Sequence, residues 1–311
     1  MISQKTCLVL GAGASRPYML PTSRELRHII LGERWGKTAF EALGFNPPLT
    51  AVERYDAALL QAMFSQGEIS RFRGEFFNAQ RVSIDAFLAW RKEEFEVIGK
   101  FAAALGVLTC ERRLYLNENW YQWLLEELIQ DGPDFDASNL RVITFNYDRS
   151  FEFYFWRAFR ATFNLNDAQA DEMLKRIEIV HVYGHCGELR SGVEVVPYGG
   201  NDGHADQAGK ASNSINVVAP RALPPTTERI REIIAESQRL CFLGFGFWSE
   251  NLDLLGLTKT SKHIFASAFH LDEGIKRKVK TRLSPDFKKR LVFGESSQDV
   301  LAFVNNYDIL G

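Results

Sequence analysis

Thr6-Cys7-Leu8-Val9-Leu10-Gly11-Ala12-Gly13-Ala14-Ser15 is an apolar run that ends abruptly in small residues. Such a run, broken by glycine, reads as a buried strand entering a tight turn. A second stretch, Leu140-Arg141-Val142-Ile143-Thr144-Phe145-Asn146-Tyr147-Asp148, has the same form with polar residues at its exit. Open α/β sheets bind ligands outside the carboxyl ends of their strands. At the first exit, glycines let backbone amides come close to a phosphate. At the second, a carboxamide and a carboxylate suit a sugar or a water. A nucleotide is the ligand class these two exits predict.

Outward from the first strand, Ser23 is the expected cap of a helix through Leu26 and Ile30. Residues 31–135 carry little strand signal and predict a helical insertion. Its helical stretches are Tyr55 to Phe64, Ser83 to Leu105 and Trp120 to Ile129. Behind the second strand comes an aromatic helix over 149–161, then a third strand, Ile177 to Tyr183, that exits at Gly184-His185-Cys186-Gly187. Residues 191–225 are rich in Gly, Asn, Asp, Ser and Pro and predict a long loop, a candidate lid. A helix over Thr227 to Arg239 leads to a short strand that exits at Gly244-Phe245-Gly246-Phe247. Strand and helix then alternate to the end. The expectation is one domain over 1–311, an α/β fold with a doubly wound, mainly parallel, Rossmann-like sheet.

The 311 residues are long enough for a substantial core, and 46% hydrophobic with 24% charged residues is an ordinary globular composition. A net charge of −2 gives no electrostatic ground for nucleic-acid binding. The basic runs at 276–282 and 288–290 read as solvated surface. No apolar run reaches the length of a membrane span, and the polar Met1 to Lys5 is not a signal peptide. Cys7, Cys110, Cys186 and Cys241 form no CxxC pair, so neither a four-cysteine zinc nor a disulfide framework is expected. A reducing cytoplasm is the expected compartment.

The glycine turn is not the dehydrogenase fingerprint, which wants a third glycine at Arg16 and an acid about twenty residues on, near Arg34-Trp35-Gly36. Asn146 points into the presumed crevice. Asp148 reads either as a site residue or as the cap of the following helix. His181, Tyr183 and His185 alternate and share a face if the strand continues. Either histidine can serve as a base near neutrality or be a satisfied interior group. Gly244, Gly246 and Asn251 supply a second glycine-bearing exit, which favours a dinucleotide over a mononucleotide.

In order, these segments resemble the sirtuin-like family. Gly11 to Ser15 with Arg16-Pro17, Leu20-Pro21-Thr22 and Glu25-Leu26 looks like its first nucleotide-binding turn. Ser83 to Leu88 resembles a helical signature of its prokaryotic branch, and Thr144 to Asp148 its T-x-N-Y-D segment. Val182-Tyr183-Gly184 is similar to its histidine-glycine strand, and Leu243 to Leu252 to its G-[YF]-[SG]-x-x-[DE]-x-N element. The resemblance implies NAD as substrate, cleavage of its nicotinamide–ribose bond, and no metal. The missing zinc module points away from a protein deacylase and toward bacterial antiphage NAD hydrolases. Those act as homo-oligomers or beside a partner such as a hexameric ATPase or an Argonaute-type protein. The family's histidine normally stands where this chain has Tyr183, so His185 first and His181 second are the expected substitutes.

On this reading Asn146 holds the ribose or a water, a histidine takes a proton, and Asp148 favours developing positive charge. Gly11, Ala12, Gly13, Ser15 and Arg16 border the diphosphate, with Tyr183 and Gly184 beside the ribose. Gly244, Gly246 and Asn251 lie toward the adenosine half. The alternatives are a non-catalytic sensor of NAD or ADP-ribose and, further off, a nucleotide-dependent oxidoreductase.

Overall fold

The computed structural model describes residues 2–32, 62, 64–111, 119–190, 195–199, 204–219, 222–257, 262–282 and 291–311. In chain order the elements are β1 (Thr6–Leu10), α1 (Ala12–Ser15), α2 (Ser23–Leu31), α3 (Gln66–Asn78), α4 (Ile84–Glu111) and α5 (Trp120–Leu128). Next come β2 (Leu140–Thr144), α6 (Ser150–Thr162), α7 (Asp167–Leu174), β3 (Glu178–His181), α8 (His204–Asn213) and α9 (Thr227–Glu236). The chain ends with β4 (Arg239–Leu243), α10 (Ser249–Leu255), β5 (His263–Ala266), α11 (Glu273–Arg282), β6 (Leu291–Phe293) and α12 (Val300–Asn306).

The six strands make one sheet in the order β3-β2-β1-β4-β5-β6, every pairing parallel. This is the order of doubly wound dinucleotide-binding sheets, and its reversal of direction falls between β1 and β4. Alternation along the strands sorts the core onto two faces. Leu8, Leu10, Leu140, Val142, Cys241 and Leu243 pack with Trp120 and Leu124 of α5, Phe151 and Phe155 of α6, and Phe303 of α12. Cys7, Val9, Ile143, Leu240, Phe242 and Ile264 pack on the other face with Ile230 and Ile233 of α9, Leu255 of α10 and Val279 of α11. The result is a three-layer α/β arrangement.

Every described element between β1 and β2 is helical. α2, α3, α4 and α8 share a cluster of their own that includes Phe72, Phe76, Phe87, Ala104 and Leu105 and reaches Tyr147 and Cys186. α4 is broken at Arg91, whose φ of −124° and ψ of 28° are not helical. The helix expected over Tyr55 to Phe64, the Arg34-Trp35-Gly36 position and the basic run at 288–290 lie wholly or largely outside the described residues.

Three expectations need correction. The cap of α2 is Thr22 rather than Ser23, because a reciprocal pair forms there: Thr22 Oγ1 accepts from the Glu25 N–H and Glu25 accepts from the Thr22 N–H. Residues 191–225 are not a continuous loop, since α8 lies within them. The small residues Ala208 and Ala211, both fully buried, let that polar helix lie close against α4. β3 ends at His181, so the alternation through Tyr183 and His185 does not continue as a strand.

The β1 and β4 exits meet at backbone distance. The Gly11 N–H donates to Leu243 O and the Gly13 N–H to Gly244 O, both at 3.0 Å. Gly244 is left-handed, at φ +57°, and a Cβ there would lie 2.0 Å from the Ala14 nitrogen. Gly244→Ala is expected to lower unfolding stability by at least about 2 kcal/mol, through strain and a backbone clash together. Urea unfolding measures this, and a variant with an unchanged midpoint refutes the packing described.

Candidate functional site

The glycine turn is held from behind by α5. Trp120 Nε1 donates to Ala14 O at 2.8 Å, and Tyr18 OH receives the Tyr121 N–H at 2.7 Å while the two tyrosine rings stack at 3.8 Å. This fixes Ser15, whose hydroxyl joins the exits of β1 and β2. Asn146 Nδ2 donates to Gly11 O at 3.2 Å and to Ser15 Oγ at 3.0 Å. Ser15 Oγ in turn donates to Asp148 Oδ1 at 3.2 Å. Asp148 Oδ1 also accepts from the Ser150 N–H at 3.1 Å and from Ser150 Oγ, which bonds Tyr121 OH at 2.8 Å.

Asp148 is not the cap of α6, which is Arg149; it accepts the Ser150 N–H two residues on, a local turn just outside the helix, and belongs to a buried chain leading to Asn146. Burial pushes its carboxyl up to about 6, against the donors from Ser150 and Ser15. Asn146 is 7% exposed, and its Oδ1 is buried with no hydrogen-bond partner. Its Nδ2 faces a carbonyl that can only accept, which fixes the amide's orientation and leaves the orphaned atom as an acceptor. Leaving such an acceptor unmatched costs about 1–3 kcal/mol.

The histidines adjoin this chain. His181 Nδ1 donates to the Asn146 backbone carbonyl at 3.0 Å, and Nε2 meets Glu152 Oε1 at 2.6 Å. Both partners are acceptors, which suits an imidazolium. Burial opposes that charge, but the Glu152 carboxylate outweighs it and raises the His181 pKa. The Glu152 pKa is lowered, since the His181 charge overcomes the cost of burial. The His185 ring lies 4.8 Å from that of His181. Its Nδ1 donates to Gly187 O at 3.1 Å, and Nε2 is 3.6 Å from the half-exposed Glu188. Burial first and the His181 charge second push the His185 pKa down. Two adjacent imidazoles thus sit in environments that drive their protonation apart, the pattern of an acid/base pair.

Other expected residues have partners of their own. Tyr183 OH donates to Asn251 Oδ1 at 2.9 Å, and its ring meets Phe145 edge-on at 5.8 Å, so it joins the segment after β4 rather than the histidines. Gly184, at φ +75°, turns the chain against Ser214 O, which brings His185 back beside His181. Arg16 pairs with Glu25 at 3.2 Å. Gly246 is exposed, and the Trp248 indole lies close across it. The Gly11 and Gly13 amides, expected to face a phosphate, instead donate to the Leu243 and Gly244 carbonyls at the β4 exit, because glycines on both sides let the two backbones touch. Ala12 and Gly13 are half-buried at the rim of this contact.

Sequence reasoning missed Glu152, Asp85, Glu111 and Arg149. Glu152 stands in the first turn of α6, close in sequence to Asp148 at the same helix end. Tyr147 OH donates to Asp85 in the first turn of α4, so the helical cluster grips the residue between Asn146 and Asp148. Asp85 is partly buried, and loss of water around its carboxyl raises its pKa against the Tyr147 donor.

Among the described residues no group of three or more His, Cys, Asp or Glu side chains is arranged to hold a metal, and no helix is long and apolar enough to cross a membrane. Compared with protein-family models the sequence matches none, and compared with curated proteins it matches none either.

Proposed function

We propose that the protein is an NAD glycohydrolase, releasing nicotinamide and ADP-ribose. The observation that carries this reading is the Asn146 carboxamide. It is clamped to the glycine turn by Nδ2 and keeps a buried, unmatched Oδ1, while the backbone carbonyl of the same residue accepts from His181. A ribose hydroxyl or an attacking water supplies the donor that this oxygen lacks.

Nicotinamide leaves as a neutral molecule from a cationic ring, taking the electron pair of the glycosidic bond, so departure needs no acid. The demanding part is an oxocarbenium-like ribose and a positioned water, as in glycoside hydrolysis. Asn146 orients the sugar or the water. His185, neutral and protonated on Nδ1, accepts the water's proton at Nε2. Asp148 lends negative charge from the buried chain, and Glu152 balances the His181 cation. The diphosphate lies along Ala12, Gly13 and Arg16, and the adenosine half toward Gly244, Gly246 and Asn251.

The test is purified protein incubated with NAD, with free nicotinamide measured by chromatography; no release at any protein concentration refutes the reading. A non-cleaving NAD or ADP-ribose sensor is the second reading, favoured by Tyr183 standing where the family that the motifs resemble carries histidine. Binding of NAD by calorimetry without nicotinamide release selects it. Antiphage NAD depletion, a homo-oligomeric state and a defence partner rest on the resemblance of the motifs alone.

The pH profile follows from the protonation states. His185 titrates below the ordinary imidazole value of about 6.5, and Asp148 titrates at about 6. Protonating either removes a group the reaction uses, so nicotinamide release stays level from about pH 7 upward and falls below about pH 6. His181→Gln removes a cation beside His185, so the His185 pKa rises and the acid limb moves toward higher pH. An acid limb that stays put in a folded His181→Gln protein contradicts the assignment.

A further inference from the structure

Arg149 directly follows the Asn146–Asp148 segment and is 1% exposed, as is Glu111 at the end of α4. Glu111 Oε1 accepts from the Arg149 backbone N–H at 3.3 Å and from Nε at 3.1 Å. Its Oε2 accepts from Nη2 at 2.5 Å and from the Gly199 N–H at 3.2 Å. Arg149 Nη1 points the other way and donates to Gly187 O at 3.0 Å and to Val196 O at 2.5 Å. Gly187 O is the same carbonyl that accepts the His185 Nδ1–H at 3.1 Å. One oxygen thus receives a buried guanidinium and the imidazole together, as its two lone pairs allow.

A neutral imidazole is a base only at the nitrogen without a proton, and the hydrogen bond at the other nitrogen decides which one that is. Gly187 is itself left-handed, at φ +78°, a conformation open to glycine, and its carbonyl is held by the Arg149 and His185 donors. We propose that Arg149, held by Glu111, is a positioning residue: by fixing the Gly187 carbonyl it keeps the His185 proton on Nδ1 and leaves Nε2 open to accept one. This deepens the NAD glycohydrolase reading and rests on it for the role of His185. It follows the logic of catalytic triads, in which a third group orients the base. The charged neighbours of the His185 ring are His181, Glu152 and Glu188, and none of them touches Nδ1.

The test uses the full chain labelled with 15N-histidine, with long-range proton–nitrogen correlation spectra at pH 7.5 and the His185 signals assigned by their loss in His185→Gln. In the wild type, Nδ1 carries the proton and Nε2 does not. In Arg149→Lys, whose single ammonium held beside Glu111 cannot also span to the Gly187 carbonyl as the guanidinium fork does, the two nitrogens move toward intermediate shifts as tautomers mix. The kcat for nicotinamide release falls about tenfold or more, since orientation is lost along with the correct proton, while the KM for NAD changes less than twofold. If Arg149→Lys does not fold, the Glu111→Leu/Arg149→Met pair removes the whole device and is read the same way. A folded variant whose His185 shifts equal the wild type overturns the proposal. Should the wild type release no nicotinamide, the reaction assigned above fails, yet the shifts still decide the positioning of His185.

Discussion

Asn146→Ala is expected to lower nicotinamide release by about a hundredfold or more, the loss seen when one preorganised polar group is removed from a site of developing charge. Its effect on stability should be small. The substitution removes two hydrogen bonds from Nδ2, each worth about 1 kcal/mol. It also removes the unmatched Oδ1, which costs about 1–3 kcal/mol in the native protein. The two sides nearly cancel. A group held at such a cost, without return in folding, is what a functional site requires and a structural one does not. Chromatographic nicotinamide assays with urea unfolding on the same preparation read both quantities. A variant that unfolds early and is inactive only for that reason makes Asn146 a structural residue; one that stays active removes it from the reaction.

Glu111→Leu carries the largest expected effect on stability. It strands the Arg149 guanidinium in the interior, and breaking a buried pair by removing one partner costs about 3–5 kcal/mol. That is a large share of the total for a domain whose net stability is about 5–15 kcal/mol. Adding Arg149→Met to the same chain removes the stranded charge and should recover part of the loss, because an apolar replacement of a buried pair is often tolerated. Recovery stops short of the wild type, since Gly187 O, Val196 O and the Gly199 N–H lose donor or acceptor in the double variant. Urea midpoints of both single variants and the double variant complete the cycle. A Glu111→Leu midpoint equal to the wild type contradicts it.

The sheet and the Asn146 exit could be read from residues alone because each is a local pattern. Apart from Arg141 and the threonines Thr6 and Thr144, the strands Thr6–Leu10 and Leu140–Thr144 are apolar, the mark of strands covered on both faces, and the break at each exit follows directly. α8 could not, because its apolar face is only the alanines that fit beneath α4, and alanine carries little hydrophobic signal. Glu152 and Arg149 were hidden for a different reason. Each has a chemical role only through a partner from elsewhere, His181 and Glu111 respectively, and no spacing along the chain announces such a pair. The histidines show both cases at once. Their types were visible, but their arrangement depends on the turn at Gly184, which places the rings face to edge without a continuing strand. The glycines were recognised correctly as points of close approach, yet what approaches Gly11 and Gly13 is the chain's own backbone.

That contact ties two neighbouring positions, 11 and 13, to a distant third, 244, in a single steric unit. A methyl group at 11, 13 or 244 collides with the opposite loop, so none of the three can enlarge while its counterparts stay as they are. In any lineage that shares this architecture, bulk gained on one side must be answered by a shifted strand-to-helix turn on the other. Substitutions at these sites are therefore expected to appear together or not at all.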